Sequence, residues 1–435
     1  MPPLSVKIFA REGSPRLNYI AGIILGDILG LTFETVTDRR KIGKHPVINY
    51  STENIKGSFK IDPVTLLFET DISQKEIVIT SWNNLPVFFK SSDSADLPFD
   101  IFAASFFMVS RYEEYLDNKS DEHGRFCAYS SIAFKNGFLD KPVVEMWVKE
   151  FSRMLLKKFQ TLAFRRNEFR SLLTIDSDQP FAYLGKNLLV SAGGMIRDMA
   201  MKKDHASERY KVMKHERKDP YEVYDYILGT IEKHGTEASF FFPTGDFSRY
   251  DKNPSWKSRE YRDLIKKIAA SHSIGIHPSY HASDKRTLLH DEYERLKTIT
   301  GREITISRFH FLRLSLPSSY LSLTESGIRE DYTMGFHDEP GFRAGIARPF
   351  PFFDIRGNRQ MSIKVFPLMV MDTTLFKYKN LGPSAAEVII SNLIADTRRV
   401  GGLFISLWHN TSLLETDEWK GWRDVFENML KEQQP

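Results

Sequence analysis

In residues 166–435 short apolar runs alternate with amphipathic segments, and this alternation narrows the folds that the chain can adopt. The apolar runs are rich in β-branched and aromatic residues and predict strands, whereas the intervening segments carry apolar residues at helical spacing. The predicted strands are Leu172–Asp176, Ala238–Phe242, Ile274–His277, Ile306–Leu312, Tyr332–Phe336 and Leu403–Trp408. The predicted helices are Tyr221–Lys233, Tyr261–Ser271, Leu288–Thr298 and Ala385–Arg399. Repeated strand–helix units are typical of a parallel sheet or an α/β barrel.

The first part of the chain predicts a separate, smaller α/β domain. Its candidate strands are Val6–Ala10, Thr32–Val36 and Glu76–Thr80, and its candidate helices are 16–29, Pro98–Leu116 and Pro142–Gln160. A chain of 435 residues is also longer than the roughly 250 to 300 residues at which one hydrophobic core stops growing. We therefore expect two domains, residues 1–165 and residues 166–435.

Composition limits the partners and the compartment. The net charge is +4, from 60 basic and 56 acidic residues, which is too small to indicate a nucleic-acid partner. The single cysteine, Cys127, excludes an internal disulfide and fits a reducing compartment. The apolar run Leu17–Gly30 contains Asp27 and is shorter than the ~20 residues needed to span a bilayer. We expect a cytoplasmic protein without a transmembrane segment, and the oligomeric state stays open.

Polar residues follow the carboxyl ends of separate predicted strands, where α/β barrels gather their active-site residues. Asp176 and Asp178 end the first strand of residues 166–435, and His277 and His281 end the third. Two imidazoles and a carboxylate are a common ligand set for a catalytic divalent cation, with Zn²⁺ as the first candidate. The alternative is structural: His277 bonds the backbone, His281 is solvated and the aspartates cap the next segment.

The remaining polar residues suggest roles around such a cation. Asp176 and Asp178 share one side of an extended chain, and a metal ligand paired with a general base would use both carboxylates. His409 ends the last strand and could protonate a leaving amine, although a core histidine beside Trp408 explains it equally well. Arg308 could hold a carboxylate.

These segments, in this order, resemble the polysaccharide deacetylase superfamily, carbohydrate esterase family 4, with its NodB homology domain. The motifs that carry the resemblance are Thr174–Asp178, His277–His281 and Leu407–His409, within residues 170–420. The third family motif is matched only by Arg308, because His310 stands where the family has proline. The N-terminal half resembles the accessory domain of a divergent bacterial branch.

The resemblance implies a distorted (β/α) barrel of NodB type and a role for each matched residue. It implies that Asp176 is the base and that His310 is a further candidate ligand. Asp331 lies near the fourth motif. Arg343 lies in the glycine- and phenylalanine-rich segment Gly341–Asp354, which could face substrate or could be a loop anchored by its phenylalanines. The candidates are Asp176, His409 and Arg308 for catalysis, Asp178, His277 and His281 for the metal, and Trp408, Arg343, His310 and Asp331 for substrate.

The predicted function is a metal-dependent hydrolase of non-peptide C–N bonds that removes an N-acetyl group from a saccharide or glycan precursor. The altered third and fourth motifs favour a rival, in which a degenerate deacetylase-like barrel binds carbohydrate or acts as a scaffold. A further rival is metal-free glycoside hydrolysis by two carboxylates about 5 to 10 Å apart.

Overall fold

The computed structural model describes residues 5–116, 119–186, 193–196, 198 and 203–434. The chain forms two compact units, and each is discontinuous in sequence. The first unit comprises Met1–Arg170, Gly341–Pro367 and Ala395–Phe404; the second comprises Ser171–Pro340, Leu368–Ile394 and Ile405–Pro435. The division into an N-terminal domain of residues 1–165 and a second domain of residues 166–435 stays a prediction.

The strands are numbered in chain order. Those of the described residues are β1 (Val6–Ala10), β2 (Phe33–Val36), β3 (Val47–Tyr50), β4 (Phe59–Lys60), β5 (Thr80–Trp82), β6 (Leu85–Val87), β7 (Arg170–Asp176), β8 (Ala238–Phe242), β9 (Ser273–Ile276), β10 (Ile306–Ser307), β11 (Glu330–Asp331), β12 (Phe350–Asp354), β13 (Arg359–Val365), β14 (Val370–Met371) and β15 (Leu403–His409).

The α-helices of the described residues are α1 (Pro15–Ala21), α2 (Ile101–Val109), α3 (Ile132–Lys135), α4 (Val143–Lys158), α5 (Lys203–Met213), α6 (Tyr224–His234), α7 (Arg259–Ala269), α8 (Arg286–Thr300), α9 (Ser318–Glu325), α10 (Pro383–Arg399) and α11 (Trp422–Glu432). A π-helical segment, Gly22–Ile28, continues α1. Among the described residues, none of the helices has both the length and the apolarity that crossing a bilayer requires.

The first unit contains a small parallel sheet with the strand order β2-β1-β3-β4. Ser14 caps α1 by accepting a hydrogen bond from the backbone N–H of Leu17, and Pro15 occupies the first turn, where its missing N–H costs nothing. Helix α2 is buried along its whole length. Helix α4 shows the amphipathic pattern of a helix that covers a core with one face.

The second unit is built around a largely parallel sheet with the order β11-β10-β9-β8-β7-β15-β14. Its central strand β7 is buried from Leu172 to Asp176, which explains the continuous apolar run in the sequence. Leu173 pairs with Ala238 on β8, and the β8–β9 and β9–β10 pairs are also parallel. Parallel pairing brings the carboxyl ends of these strands to one edge of the sheet.

The mixed α/β class agrees with the sequence prediction, but the closed barrel is not confirmed. In the described part of the second unit the hydrogen-bonded strand order is linear and does not return from its last strand to its first. One predicted strand is also wrong in extent. Strand β10 stops at Ser307 because Phe311 and Leu312 have left-handed φ angles of 62° and 52°, which a strand does not accommodate.

Two further strand predictions are displaced. Strand β11 ends at Asp331, so the predicted strand Tyr332–Phe336 is irregular. The predicted strand Glu76–Thr80 reaches regular pairing only at Thr80, where β5 begins. The segment Gly341–Asp354, interpreted as a loop, ends in a true strand, β12, which pairs antiparallel with β13.

Candidate functional site

The candidate site lies in the second unit, where five strands of its sheet end. Each strand places a titratable side chain at its carboxyl end or just beyond it, because the buried strand fixes the position of the next few residues. The residues are Asp176 and Asp178 after β7, His277 after β9, Arg308 and His310 after β10, Asp372 after β14 and His409 at the end of β15.

Asp178, His277 and His310 converge at the centre of this group. The Nε2 atom of His277 lies 3.1 Å from Oδ1 of Asp178, and Nε2 of His310 lies 3.4 Å from Oδ2 of the same carboxylate. One ligand atom from each residue lies within 4.8 Å of the other two. This spacing allows all three atoms to contact a single cation.

Two atoms of this trio give an independent test of whether a cation fits. Oδ1 of Asp178 and Nε2 of His277 are buried and face each other at 3.1 Å as two acceptors, because the proton of His277 lies on Nδ1; neither atom has another hydrogen-bond partner among the described residues. Leaving such an atom without a partner costs ~1–3 kcal/mol, and more for a charged group. Both atoms are ligand types for divalent metals. A cation between them would satisfy both atoms, so the donor set fits a metal.

The other ring nitrogens of the two histidines are already occupied. Nδ1 of His277 lies 2.6 Å from the backbone carbonyl oxygen of Arg308, and Nδ1 of His310 lies 2.9 Å from Oδ1 of Asp251. An acceptor on Nδ1 fixes the proton there and leaves Nε2 free as a ligand. Both rings are therefore oriented in the way that metal-binding histidines are oriented.

Asp251 is buried and held from several sides. Its Oδ1 also accepts a 2.9 Å hydrogen bond from the backbone N–H of Tyr280, and its Oδ2 accepts one of 2.6 Å from the Ser248 hydroxyl. Although burial would raise it, the pKa of Asp251 is lowered by the hydrogen bonds from His310, Ser248 and Tyr280. Asp251 is thus an ionised second partner for His310.

The electrostatics of the trio follow from this arrangement. Burial would raise the pKa of Asp178, but the charge of His310 and the nearby His277 ring hold that pKa well below its usual value. Burial would lower the pKa of His310, yet Asp178 and Asp251 raise it to about 10. The carboxylates of Asp178 and Asp251 are therefore stabilised by a positive charge between them. Either a proton on His310 or a divalent cation can supply that charge.

His281 is not part of this trio. It lies in a short 3₁₀ turn, Tyr280–Ser283, where it is exposed and contacts the Tyr280 ring edge to face at 5.2 Å. His277 is buried whereas His281 is exposed, so the two histidines do not face the same surroundings. In the described structure His310 takes the third position that the sequence interpretation gave to His281.

Asp176 lies beside the trio and is held by Arg308. The Arg308 guanidinium donates a 3.0 Å hydrogen bond from Nη1 to Oδ1 of Asp176 and a 2.7 Å bond to the Thr174 hydroxyl. The other carboxylate oxygen, Oδ2, lies 3.7 Å from Nε2 of His277. Arg308 is fully buried and always charged, and it forms an ion pair with Asp176.

His409 approaches Asp178 from β15. Its Nε2 lies 3.7 Å from Oδ2 of Asp178, and its Nδ1 lies 2.8 Å from Oδ1 of Asp372. Asp372 also accepts hydrogen bonds from the His409 backbone N–H and from the Ser412 hydroxyl. Burial opposes the charge on His409, but Asp372, Asp178 and Asp176 raise its pKa to about 9. His409 is therefore protonated at neutral pH.

Three candidate substrate residues lie elsewhere. Trp408 is 1% exposed and packs against Trp422 and Phe426. Asp331 is fully buried and accepts hydrogen bonds from Ser307 and Thr333. Arg343 belongs to the first unit, where it forms a two-point ion pair with Glu114. None of these three side chains presents a free surface to a sugar, so we do not carry them into the proposed site.

Sequence reasoning missed two carboxylates of the site. Asp372 directly follows the buried run Leu368–Met371, so the rule that located Asp176 and His409 could have located it. Asp251 lies in the segment between β8 and α7 without an adjacent strand or a motif. Only the folded chain shows that it contacts His310.

Comparison with known proteins gives a partial match. A model described as a family of unknown function (DUF7033) matches residues 6–160. No curated protein matches the chain at a significant level.

Solved structures show a remote likeness. A Mycobacterium smegmatis protein assigned provisionally as a polysaccharide deacetylase is 15% identical, with 62% of this chain and 84% of that chain covered and a TM-score of 0.41. A Bacillus cereus polysaccharide deacetylase is 14% identical, with coverage of 62% and 89% and a TM-score of 0.30. A Bacillus anthracis pseudoenzyme of the CE4 family is 13% identical, with coverage of 62% and 62% and a TM-score of 0.29.

Proposed function

We propose that the second unit is a divalent-metal-dependent hydrolase that removes an N-acetyl group from a saccharide. The observation that carries this proposal is the convergence of Asp178, His277 and His310, with two buried ligand atoms that lack a partner among the described residues. These three side chains would hold the metal, with Zn²⁺ as the first candidate. Such an ion would polarise the acetamide carbonyl and lower the pKa of a bound water.

The surrounding residues supply a base and an acid. Asp176, paired with Arg308, accepts the proton of the attacking water. His409, whose pKa is raised to about 9 with Asp372 and Asp178 as partners, donates a proton to the departing amine nitrogen. Water and the amide thus become acetate and a free amino sugar. Asp176 and His409 take opposite roles because of their neighbours: the base lies beside an arginine, and the acid lies beside carboxylates.

The identity of the substrate, an N-acetyl saccharide, is supported by the sequence resemblance. The motifs Thr174–Asp178, His277–His281 and Leu407–His409 carry that resemblance. The substitution of His310 for the family's proline changes the source of one ligand without changing the ligand set.

The test is acetate release from N-acetylglucosamine oligosaccharides by the purified full chain. We expect release in the presence of Zn²⁺, loss after chelation and recovery when Zn²⁺ is restored. The Asp178→Asn variant should lose at least ~10³-fold in rate, because a metal contributes several kcal/mol to catalysis. The matched control is Asp284→Asn, a partly exposed carboxylate that pairs with Arg313 in the same unit.

Other outcomes separate the rival functions. Tight sugar binding by the metal-loaded protein without acetate release would contradict the hydrolase and support the carbohydrate-binding protein. Cleavage of glycosidic bonds that survives chelation would instead support hydrolysis by a carboxylate pair.

A further inference from the structure

A cleft in the second unit is not used by the proposed chemistry. One lobe has a volume of about 620 Å³ and is lined by residues that include Gln179, Tyr183, Tyr221, Phe247 and Lys252. The other has a volume of about 530 Å³ and is lined by residues that include Phe247, Asn253, Trp256, Lys257 and Arg295. The lobes share Phe247 and Lys186. We call this pair of cavities the two-lobed cleft.

The two-lobed cleft adjoins the candidate metal site through the chain itself. Gln179 directly follows Asp178, and Lys252 directly follows Asp251, the partner of His310. The backbone carbonyl oxygen of Gln179 also accepts a 2.9 Å hydrogen bond from Asn410, the residue after His409. The residues that directly follow Asp178 and Asp251 in the chain therefore line the cleft.

Aromatic rings in the cleft are paired with cations. The Lys252 ammonium lies 4.5 Å from the centre of the Phe247 ring, and the Arg209 guanidinium lies 4.5 Å from that of Tyr183. The Trp256 ring has Lys257 and Arg295 at 5.4 Å each. Phe247 is 45% exposed, which leaves apolar surface for a ligand. Apolar rings with a few placed polar groups are the usual lining of a ligand site.

The cations of the cleft are not all neutralised. Arg209 pairs with Asp198 at 2.7 Å, and Arg295 pairs with Asp246 at 3.1 Å. By contrast, no carboxylate among the described residues forms an ion pair with Lys252, whose ammonium donates only to the Ser248 carbonyl oxygen at 2.8 Å. Asn253 adds a buried side-chain oxygen, Oδ1, without a hydrogen-bond partner in the described chain. The cleft thus offers positive charge and a polar acceptor beside aromatic faces.

We propose that the two-lobed cleft binds the saccharide and selects one that carries negative charge, as carboxylate or phosphate, with Lys252 as the residue that determines this preference. The inference rests on the proposed function, since it names the substrate class of the same site. Its basis is charge complementarity: an ammonium that lines a cleft and forms no ion pair with a carboxylate of the described residues attracts an anion.

The test compares three acetylated probes. The neutral probe is the tetramer of N-acetylglucosamine. The carboxylate probe is a heparosan tetrasaccharide, in which the same sugar alternates with glucuronate, and the phosphate probe is UDP-N-acetylglucosamine, which carries its negative charge on a diphosphate. Binding is measured by calorimetry on the full-length Asp176→Asn protein, so that turnover does not consume the probe. We expect at least one anionic probe to bind about five- to tenfold more tightly than the neutral one, the size of one charged contact.

Single-residue variants then show whether Lys252 causes the preference for anionic probes. Lys252→Gln should reduce it to twofold or less, Lys252→Arg should retain it, and 0.5 M salt should weaken it by screening. Lys266→Gln removes the same charge from an exposed position on α7 and should leave every affinity unchanged. The heparosan and nucleotide arms distinguish carboxylate from phosphate as the favoured group.

Two results would overturn the inference. One is equal or tighter binding of the neutral tetramer; the other is an anion preference that Lys252→Gln leaves intact. If acetate is released without any charge preference, the substrate inference fails while the hydrolase stands. A preference that depends on Lys252 in a protein that releases no acetate supports the cleft and rejects only the hydrolase.

Discussion

Each unit of the protein gathers buried charges, and the two groups differ in how they are neutralised. The closed cluster of the first unit consists of Arg111, Glu113, Glu114 and Arg343. The open cluster of the second unit consists of Asp178, His277, His310, Asp251 and their neighbours Asp176 and His409. Both contain residues that seldom occur inside proteins without partners.

The closed cluster balances two guanidinium groups against two carboxylates. Arg343 bonds both oxygens of Glu114 at 2.9 and 2.6 Å, and Arg111 bonds Glu114 at 2.7 Å and Glu113 at 2.8 Å. Burial alone would raise the pKa of Glu114, but the two arginines hold it below its usual value. No buried nitrogen or oxygen of these four side chains lacks a partner in the described chain. The cluster is complete without a ligand.

The open cluster is acidic unless its histidines are protonated, and it leaves buried ligand atoms without partners. The comparison teaches that buried charge alone does not identify a functional site. What distinguishes the open cluster is that its positive charge comes from protons on histidines, which a bound cation can replace.

The largest effect on stability should come from breaking the closed cluster. Glu114→Gln leaves two buried guanidinium groups short of negative charge, and breaking a buried pair from one side costs ~3–5 kcal/mol. Denaturant unfolding of the first unit should report this loss, whereas the metal content of the protein should not change. Glu34→Gln, which removes an exposed partner of Lys7, should leave the free energy of unfolding unchanged. Normal stability of Glu114→Gln would show that the closed cluster is not structural.

An intermediate case sharpens the comparison. Glu292 is 3% exposed and accepts hydrogen bonds from the Ser279 backbone N–H at 2.8 Å and from the Ser279 hydroxyl. With neutral donors as its bonded partners, burial raises its pKa to about 7. A proton therefore neutralises the buried carboxylate of Glu292, whereas arginines neutralise the carboxylates of the closed cluster.

This raised pKa predicts a pH dependence of stability. A folded-state pKa above the unfolded value contributes stability that is fully present below about pH 4.5 and is lost as pH rises through about 7. The loss should reach at most ~3.5 kcal/mol, at ~1.4 kcal/mol per pH unit. Glu292→Gln should remove this slope in denaturant titrations between pH 4.5 and 8. The exposed Glu303→Gln should retain it, and an unchanged slope in Glu292→Gln would assign the effect to another group.

A smaller effect should follow from Asp251→Asn in the open cluster. The amide can still accept from His310 but no longer supplies charge, and changes to such partners of metal-bound histidines cost 10- to 100-fold in metal affinity, about 1.4 to 2.8 kcal/mol. Competition with a fluorescent chelator would measure the change. An affinity equal to that of the Asp284→Asn control would mean that Asp251 does not orient a ligand.

The sequence predicted the elements that bury apolar residues on both faces. Strand β8 was predicted with its observed bounds, Ala238–Phe242, because five consecutive buried residues leave no other periodicity. Strand β10 was overestimated, since its apolar pattern continues through Phe311 and Leu312 while the backbone turns left-handed. Backbone turns of that kind depend on tertiary contacts that a single sequence does not display.

For the site, position after a strand was the informative signal. It located Asp176, Asp178, His277, Arg308 and His409, which the fold brings together. The same signal did not show which of His281 and His310 is the third metal ligand. Sequence spacing does not reveal that His281 lies in an exposed turn while His310 lies beside Asp178 and His277. Trp408 and Arg343 were predicted to contact substrate because of their residue type. In the structure Trp408 packs against Phe426 and Arg343 forms an ion pair with Glu114.

The most direct test of the account is the metal content of two histidine variants purified with Zn²⁺ and measured by elemental analysis. His310→Ala removes a member of the converging trio, whereas His281→Ala removes an exposed ring four residues after His277. We predict that His281→Ala retains the metal content of the unaltered protein and that His310→Ala loses it. Loss of metal in His281→Ala with retention in His310→Ala would contradict the proposed ligand set.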